Sequence, residues 1–478
     1  MKADEAAPIR PDAIGPFRVF SWLWAAAVLG HMSSYSEPVQ PVTVAMVALA
    51  FAVLFGVSRV LAFFLLLIAH LLYVYGRLPH VPNHSILAAS IDLTILTAAA
   101  WSAVSQRTWT LDTTALYKSF APVIRIELLV LYFFVVFHKL NSGFFHPEQS
   151  CTVVMYLRLA REWPFLPVAD WWVRSWMIYL TLFIEAAIPI MLVARGLRLA
   201  GLIIAFGFHF ALAMDPGDVV FNFSSMLLAL FFLFLPDDFS HHVSSTLAPL
   251  RRWWDAASAP GPGWLAGRLF AYVCVPLLMP ALIFRDAIDT GMTHEASRLG
   301  WVVYAGFVFA VFLRTLQRSQ PRLQSARQLL TSPSPMLLIF PALLFANGLL
   351  PYLGGKTETS FAMYSNLRTE GGVSNHWLVP PTLQVWGYQR DLVKVRRTSV
   401  GRIQRLANRG FQWTYFEFKA MMSEFPNASV TYERNGIVRS LRRVKDDPEF
   451  FRAEESLMRK MLKFRPIAID EARSPCIH

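Results

Sequence analysis

The sequence predicts an all-α polytopic membrane bundle of about 9–11 transmembrane helices followed by a small C-terminal α+β soluble domain. Three observations predict it. Apolar residues fill 55% of the 478 positions and charged residues only 16%, where soluble domains carry about 25% charge. The apolar residues collect into uninterrupted runs of roughly 20, the length that crosses a hydrocarbon core. Beyond residue 352 the runs stop and the chain turns basic, with 21 of its 44 Lys and Arg in that tail. A disordered, fibrous or nucleic-acid-binding chain is excluded, even at a net charge of +12 and a mean hydropathy of +0.41.

In order along the chain, candidate spans cover residues 17–33, 42–57, 59–76, 86–104, 120–139, 176–194, 197–214, 219–235, 265–284, 299–316 and 333–352. The first has the apolar core of a signal peptide, but Trp22, Trp24 and His31 leave it no small-residue cleavage site, so it reads as a retained span. Residues 1–16 form an N-terminal segment, 17–352 the transmembrane domain and 353–478 the tail domain. With the N-terminus inside, short inner loops collect fifteen Lys and Arg and outer loops seven, which favours a cytoplasmic N-terminus and an extracytoplasmic tail. The polar stretch 236–264, with Pro260-Gly261-Pro262-Gly263, reads as a cytoplasmic connector. The Trp-rich outer loop (Trp163, Trp171, Trp172, Trp176) reads as an interfacial belt.

In the tail, 411–425 reads as a helix, and Asn435-Gly436 supplies a type I′ turn between strands 429–434 and 437–442. Asp447-Pro448 starts a last helix running to 463. The tail's basicity fits anionic headgroups, an acidic peptide or a merely solvated surface. Cys151, Cys274 and Cys476 are too few for a disulfide framework or a metal cluster; a Cys151–Cys476 bridge stays open if both face an oxidising compartment. No HExxH-like spacing joins the histidines, and Pro79 and Pro82 break any helix between His80 and His84, so no metal site is assigned.

Charges at bilayer depth are costly and need a reason to be kept. Span 120–139 holds Arg125 and Glu127 near its inner end, Tyr132 midway, and His138 and Lys139 at its outer end; His70, Asp92, Glu185 and His209 lie in other spans. Arg125, Tyr132 and Lys139 are spaced by seven and share one helix stripe, which should face the bundle interior. Structural alternatives stand beside a functional one: Arg125 pairing with Glu185 or Asp92, His70 or His209 bonding a carbonyl, and Lys139 snorkelling to the headgroups.

Arg125, Tyr132 and His138-Lys139-Leu140-Asn141 resemble the central membrane segment of vitamin K-dependent γ-glutamyl carboxylases, in which an Arg, a Tyr and a Lys-Lys-Leu-Asp recur at this spacing. Asn83-His84-Ser85, Glu185 and Phe208-His209 are similar to further segments of that family and of the wider bacterial horizontally transferred transmembrane group. The resemblance covers roughly residues 15–240. It implies a bacterial inner-membrane enzyme, both lyase and oxidoreductase, that uses a reduced naphthoquinone of the vitamin K or menaquinol type with O₂ and CO₂. The quinol and O₂ yield a base that removes the γ-proton of a glutamate, and CO₂ takes the proton's place. By resemblance Lys139 is the base that deprotonates the quinol, and His84 with Asn83 sits near the carbanion or CO₂. Tyr132, His209 and Arg125 line the quinone pocket. The implied partners are membrane lipid or quinone and a Glu-containing peptide or protein; no nucleic acid is implicated. Burial in an apolar pocket disfavours an ammonium, which is how a lysine becomes a usable amine.

The contrasting class is a non-enzymatic membrane scaffold, lipid-binding or transport protein whose retained Lys and His hold helices together. The two separate on the surroundings of Lys139: an amine buried beside His84 and Tyr132 in a pocket open to the bilayer, or one snorkelled or salt-bridged. Segment 360–377, rich in Asn, Arg, Glu and His just past the last span, either caps the cavity or is an ordinary polar loop.

Overall fold

A computed structural model describes residues 14–56, 59–107, 111–167, 170–257, 275–319, 323–452 and 456–476. Every candidate span is helical where it falls on described residues; 265–274 of the ninth, most of the N-terminal segment and Pro260–Gly263 lie outside them. Among the described residues, five helices are long and apolar enough to cross a membrane: α3 (Arg59–Arg77), α4 (Asn83–Gln106), α5 (Thr113–Phe137), α7 (Trp171–Val193) and α12 (His294–Arg318). Shorter apolar helices α2 (Pro41–Phe55), α8 (Arg198–Leu212), α9 (Phe221–Phe232) and α14 (Ile339–Leu349) pack among them with α1 (Pro16–Ser34). The chain is a polytopic integral membrane protein.

Two further helices are less apolar. α6 (Cys151–Glu162) lies in the loop ahead of α7. α10 (Phe239–Ala257) gives the described part of the connector 236–264 a helix. The stretch is polar on average, yet Phe239, Val243 and Leu247 recur every four residues and lay one apolar stripe against the bundle, where α10 packs on α12. α11 (Val275–Ile283) packs on α1, and the short α13 (Ala326–Leu330) packs on α5.

α5 is its axis, in contact with α4, α7 and α14. Asp112 starts it by accepting from Thr114 N at 2.8 Å and Ala115 N at 3.2 Å. Asn141 closes it: its Nδ2 donates to the otherwise orphaned His138 carbonyl at 2.7 Å, and its Oδ1 accepts from Phe144 N at 2.9 Å. α14 crosses α5 at Gly348, where a Cβ would collide with the ring of Phe134. That close approach brings Tyr352 to His138.

The tail forms a five-stranded antiparallel sheet in the order β4-β3-β1-β2-β5, from β1 (Leu392–Thr398), β2 (Phe411–Thr414), β3 (Val430–Arg434), β4 (Ile437–Leu441) and β5 (Ile467–Ala468). α15 (Gly401–Asn408) and α16 (Tyr415–Ser423) flank it over a core of Val393, Trp413, Phe418, Tyr432 and Phe450. The β3–β4 hairpin turns through Asn435 and Gly436, both left-handed (φ 50° and 76°), as type I′ requires. The run 411–425 is corrected to a strand followed by a helix: residues 411–414 pair with β1 and β5, and Thr414 then caps α16 by accepting from Glu417 N. The single last helix is corrected to a 3₁₀ turn, Pro448–Phe451, capped by Asp447, and a short α17 (Ser456–Met461), with 453–455 outside the described residues. A Cys151–Cys476 disulfide ties the end of the tail to α6.

Candidate functional site

Arg125, Tyr132 and Lys139 lie on one stripe of α5 and are each 3% exposed. Lys139 follows the last turn of the helix and does not snorkel. Its Nζ turns inward and donates to both carboxylate oxygens of Glu185, on α7, at 2.5 Å, with the Phe144 ring 5.6 Å away. On the same side Tyr132 Oη lies 2.8 Å from His209 Nε2, on α8. His209 Nδ1 is buried without a hydrogen-bond partner among the described residues.

All four side chains line a cavity of about 440 Å³ whose walls are otherwise mostly apolar, including Leu131, Val135, Ile184 and Phe208. At its rim Arg158 pairs with Asp215 and Asp218. Met363 and Tyr364 form part of its lining and are the part of segment 360–377 that caps it. This cap is held in an unusual backbone: Thr359, Phe361, Tyr364 and Asn366 all have φ between 54° and 66°, a region that L-residues with a side chain seldom occupy. Such strain persists only when surrounding contacts over-determine it, and here they do. Asn83 Oδ1 accepts from Phe361 N at 2.6 Å, and Asn141 Nδ2 donates to Ser365 O at 2.7 Å. Asn366 Oδ1 accepts from Cys151 N at 2.9 Å, and His138 bridges Tyr352 Oη at 2.7 Å and Ser360 O at 3.0 Å.

His376 clasps the far end of this segment. Its Nε2–H donates to Phe137 O at 2.9 Å while Nδ1 accepts from Leu378 N and Val379 N, each at 3.1 Å, which specifies one neutral tautomer. Burial lowers its pKa from the ordinary histidine value.

The remaining predicted site residues lie elsewhere. His84 Nε2 is 3.1 Å from His31 Nδ1 in a separate pocket of about 20 Å³ that also involves Trp24, His70 and Asn222. The Phe223 ring contacts His84 (5.9 Å between centroids) and His209 (5.6 Å), so it stands between the two sites. Asn83 is occupied by the cap. Arg125 faces neither pocket and pairs with neither Glu185 nor Asp92; it donates to the carbonyls of Leu233 at 2.7 Å and Leu329 at 2.6 Å. Asp92 instead joins His70 Nδ1 at 2.6 Å and Trp24 Nε1 at 3.0 Å.

Sequence reasoning missed Glu185 as the counter-ion of Lys139 and His31 as the partner of His84. Glu185 stood out as a rare intramembrane acid, but α7 begins at Trp171, ahead of the predicted span, and no local pattern gave its depth relative to Lys139. Comparison of the chain with family models, curated proteins and solved structures finds no match.

Proposed function

We propose that this protein is a quinol-dependent membrane enzyme of the γ-glutamyl carboxylase kind, with Lys139 as the base of a cavity open to a lipid-soluble ring. The observation that carries this reading is the convergence of two hydrogen-bonded pairs, Lys139–Glu185 and Tyr132–His209, on the wall of one apolar cavity. The cavity fits such a group: its volume lies in the usual range for small-molecule sites, apolar walls with a few convergent polar groups. The unpartnered His209 Nδ1 is free to meet a ring hydroxyl or carbonyl. Lys139, Tyr132 and His209 would hold a reduced naphthoquinone. When bound, that group supplies with O₂ the strong base for removing a glutamate γ-proton. One oxygen atom ends in the quinone epoxide and the other leaves as water with the two quinol hydrogens, while the glutamate exchanges its γ-proton for CO₂.

The chain's own task is proton handling. Glu185 accepts from Lys139 Nζ at 2.5 Å, which puts a proton acceptor directly beside the amine that the reaction would use. The Met363–Tyr364 cap keeps out water that would quench the base. The Cys151–Cys476 bridge supports an exoplasmic tail, since disulfides persist in oxidising compartments; the Lys and Arg distribution agrees.

The non-enzymatic scaffold is the second reading, favoured by the closed Lys139–Glu185 pair and by the separation of His84 from Lys139. Purified wild type and Lys139→Ala, given reduced menaquinone or phylloquinone, a Glu-containing peptide and labelled bicarbonate, separate the two. Lysine-dependent epoxide formation and label incorporation support the enzyme; no lysine-dependent turnover of either kind leaves the scaffold.

A further inference from the structure

At the end of the bundle away from the tail lies a second cavity, of about 370 Å³, bounded by α1, α2, α8, α9, α10 and α12. Its lining is Phe, Leu, Val and Ala apart from Trp22 and Tyr304. The Trp22 indole N–H and the Tyr304 hydroxyl are both buried and have no hydrogen-bond partner among the described residues. Hydrocarbon cannot satisfy either group, so the site as built asks for an oxygen acceptor.

Trp22 lines this cavity, and two guanidinium groups lie over its ring, Arg18 at 5.0 Å and Arg59 at 5.7 Å from the centroid. Among the described residues neither has a carboxylate partner, and the Nε atom of each is buried and unpartnered. Two like charges held at one indole, with no carboxylate beside either among the described residues, favour an anion at that level. Arg18, Trp22 and Ala26 are successive four-residue steps along one face of α1, each about 6 Å deeper than the last. A cationic level, a single N–H donor and an apolar slot therefore follow one another in the order phosphate, ester carbonyl and acyl chain.

We infer that this cavity binds one anionic glycerophospholipid from the leaflet opposite the tail. Its phosphate lies between Arg18 and Arg59, an ester carbonyl accepts from Trp22 Nε1, and one acyl chain runs past Ala26 toward Tyr304. The site is independent of the Lys139 cavity and of any chemistry there.

The test is native mass spectrometry of the full-length protein in detergent, titrated with phosphatidylglycerol, phosphatidylcholine or inorganic phosphate. Wild type should retain phosphatidylglycerol in clear preference to phosphatidylcholine and keep it in excess phosphate. Arg18→Gln with Arg59→Gln should lower phosphatidylglycerol affinity roughly 30-fold, since each basic group near a membrane surface contributes about a factor of five. Ala26→Phe, which fills the slot and leaves the charges, should weaken both lipids. Trp22→Phe, which keeps the ring and deletes only the N–H, provides a milder variant should the double substitution fail to fold, and it should weaken phosphatidylglycerol several-fold. Equal retention of the two lipids by wild type, or unchanged preference in the Arg variant (or unchanged affinity in Trp22→Phe), would overturn the proposal. Displacement of phosphatidylglycerol by phosphate alone would replace it with a free-anion site.

Discussion

Glu185→Leu leaves the Lys139 ammonium, 3% exposed, without a counter-charge in an apolar cavity. Breaking a buried ion pair from one side costs roughly 3–5 kcal/mol, because the remaining charge is stranded. Lys139→Met strands the Glu185 carboxylate in the same way. Removing both, as Lys139→Met with Glu185→Leu, leaves nothing charged, and such replacements by apolar residues of similar volume range from neutral to about 4 kcal/mol stabilising. The single costs therefore sum to about 6–10 kcal/mol while the double change costs about zero, a coupling of at least about 6 kcal/mol. Unfolding of the four proteins in mixed lipid and SDS micelles, followed by Trp fluorescence, measures it. Single effects that add to within about 0.5 kcal/mol, the behaviour of independent sites, would refute the closed pair and put Lys139 back at the headgroups.

Three other outcomes follow from the tail. The stability that neutral His376 contributes should be complete above its ordinary value of 6.5 and be lost as the pH falls below it. Protonation takes Nδ1 from the Leu378 and Val379 amides, so the hydrogen-exchange protection of 360–379, measured relative to the intrinsic rate at each pH, should fall between pH 7 and 5, and much less so in His376→Gln. Burial pushes the Glu417 carboxyl up to about 7 from 4.5, so the folded tail favours its protonated form. Stability should fall as the pH rises through that window, by roughly 3 kcal/mol at 1.36 kcal/mol per pH unit, and Glu417→Gln should flatten the profile in thermal melts at stepped pH. Cys151→Ser with Cys476→Ser should speed proteolytic release of the end of the tail while leaving the bundle folded; equal cleavage rates would show the bridge to be dispensable.

The legible features were those encoded by near neighbours. The apolar runs located the helices, the seven-residue spacing of Arg125, Tyr132 and Lys139 put them on one buried stripe, and Asn435-Gly436 announced its hairpin. Averages misled where periodicity or pairing decided. The polar mean of 236–264 hid the stripe of α10, and the aromatic run from Phe411 was divided into strand and helix by the neighbours it pairs with.

What residue order determined by itself is each side chain's place on its own helix or strand, because a helix fixes the neighbour at i+4 wherever it lies. Which helix stands opposite is a matter of depth and azimuth, and those are set by all the packing contacts at once. Only the tertiary structure could set Glu185 against Lys139, put the Phe223 ring between His84 and His209, and fold Met363 and Tyr364 over the cavity. A buried charge takes whichever partner the closed bundle brings within reach.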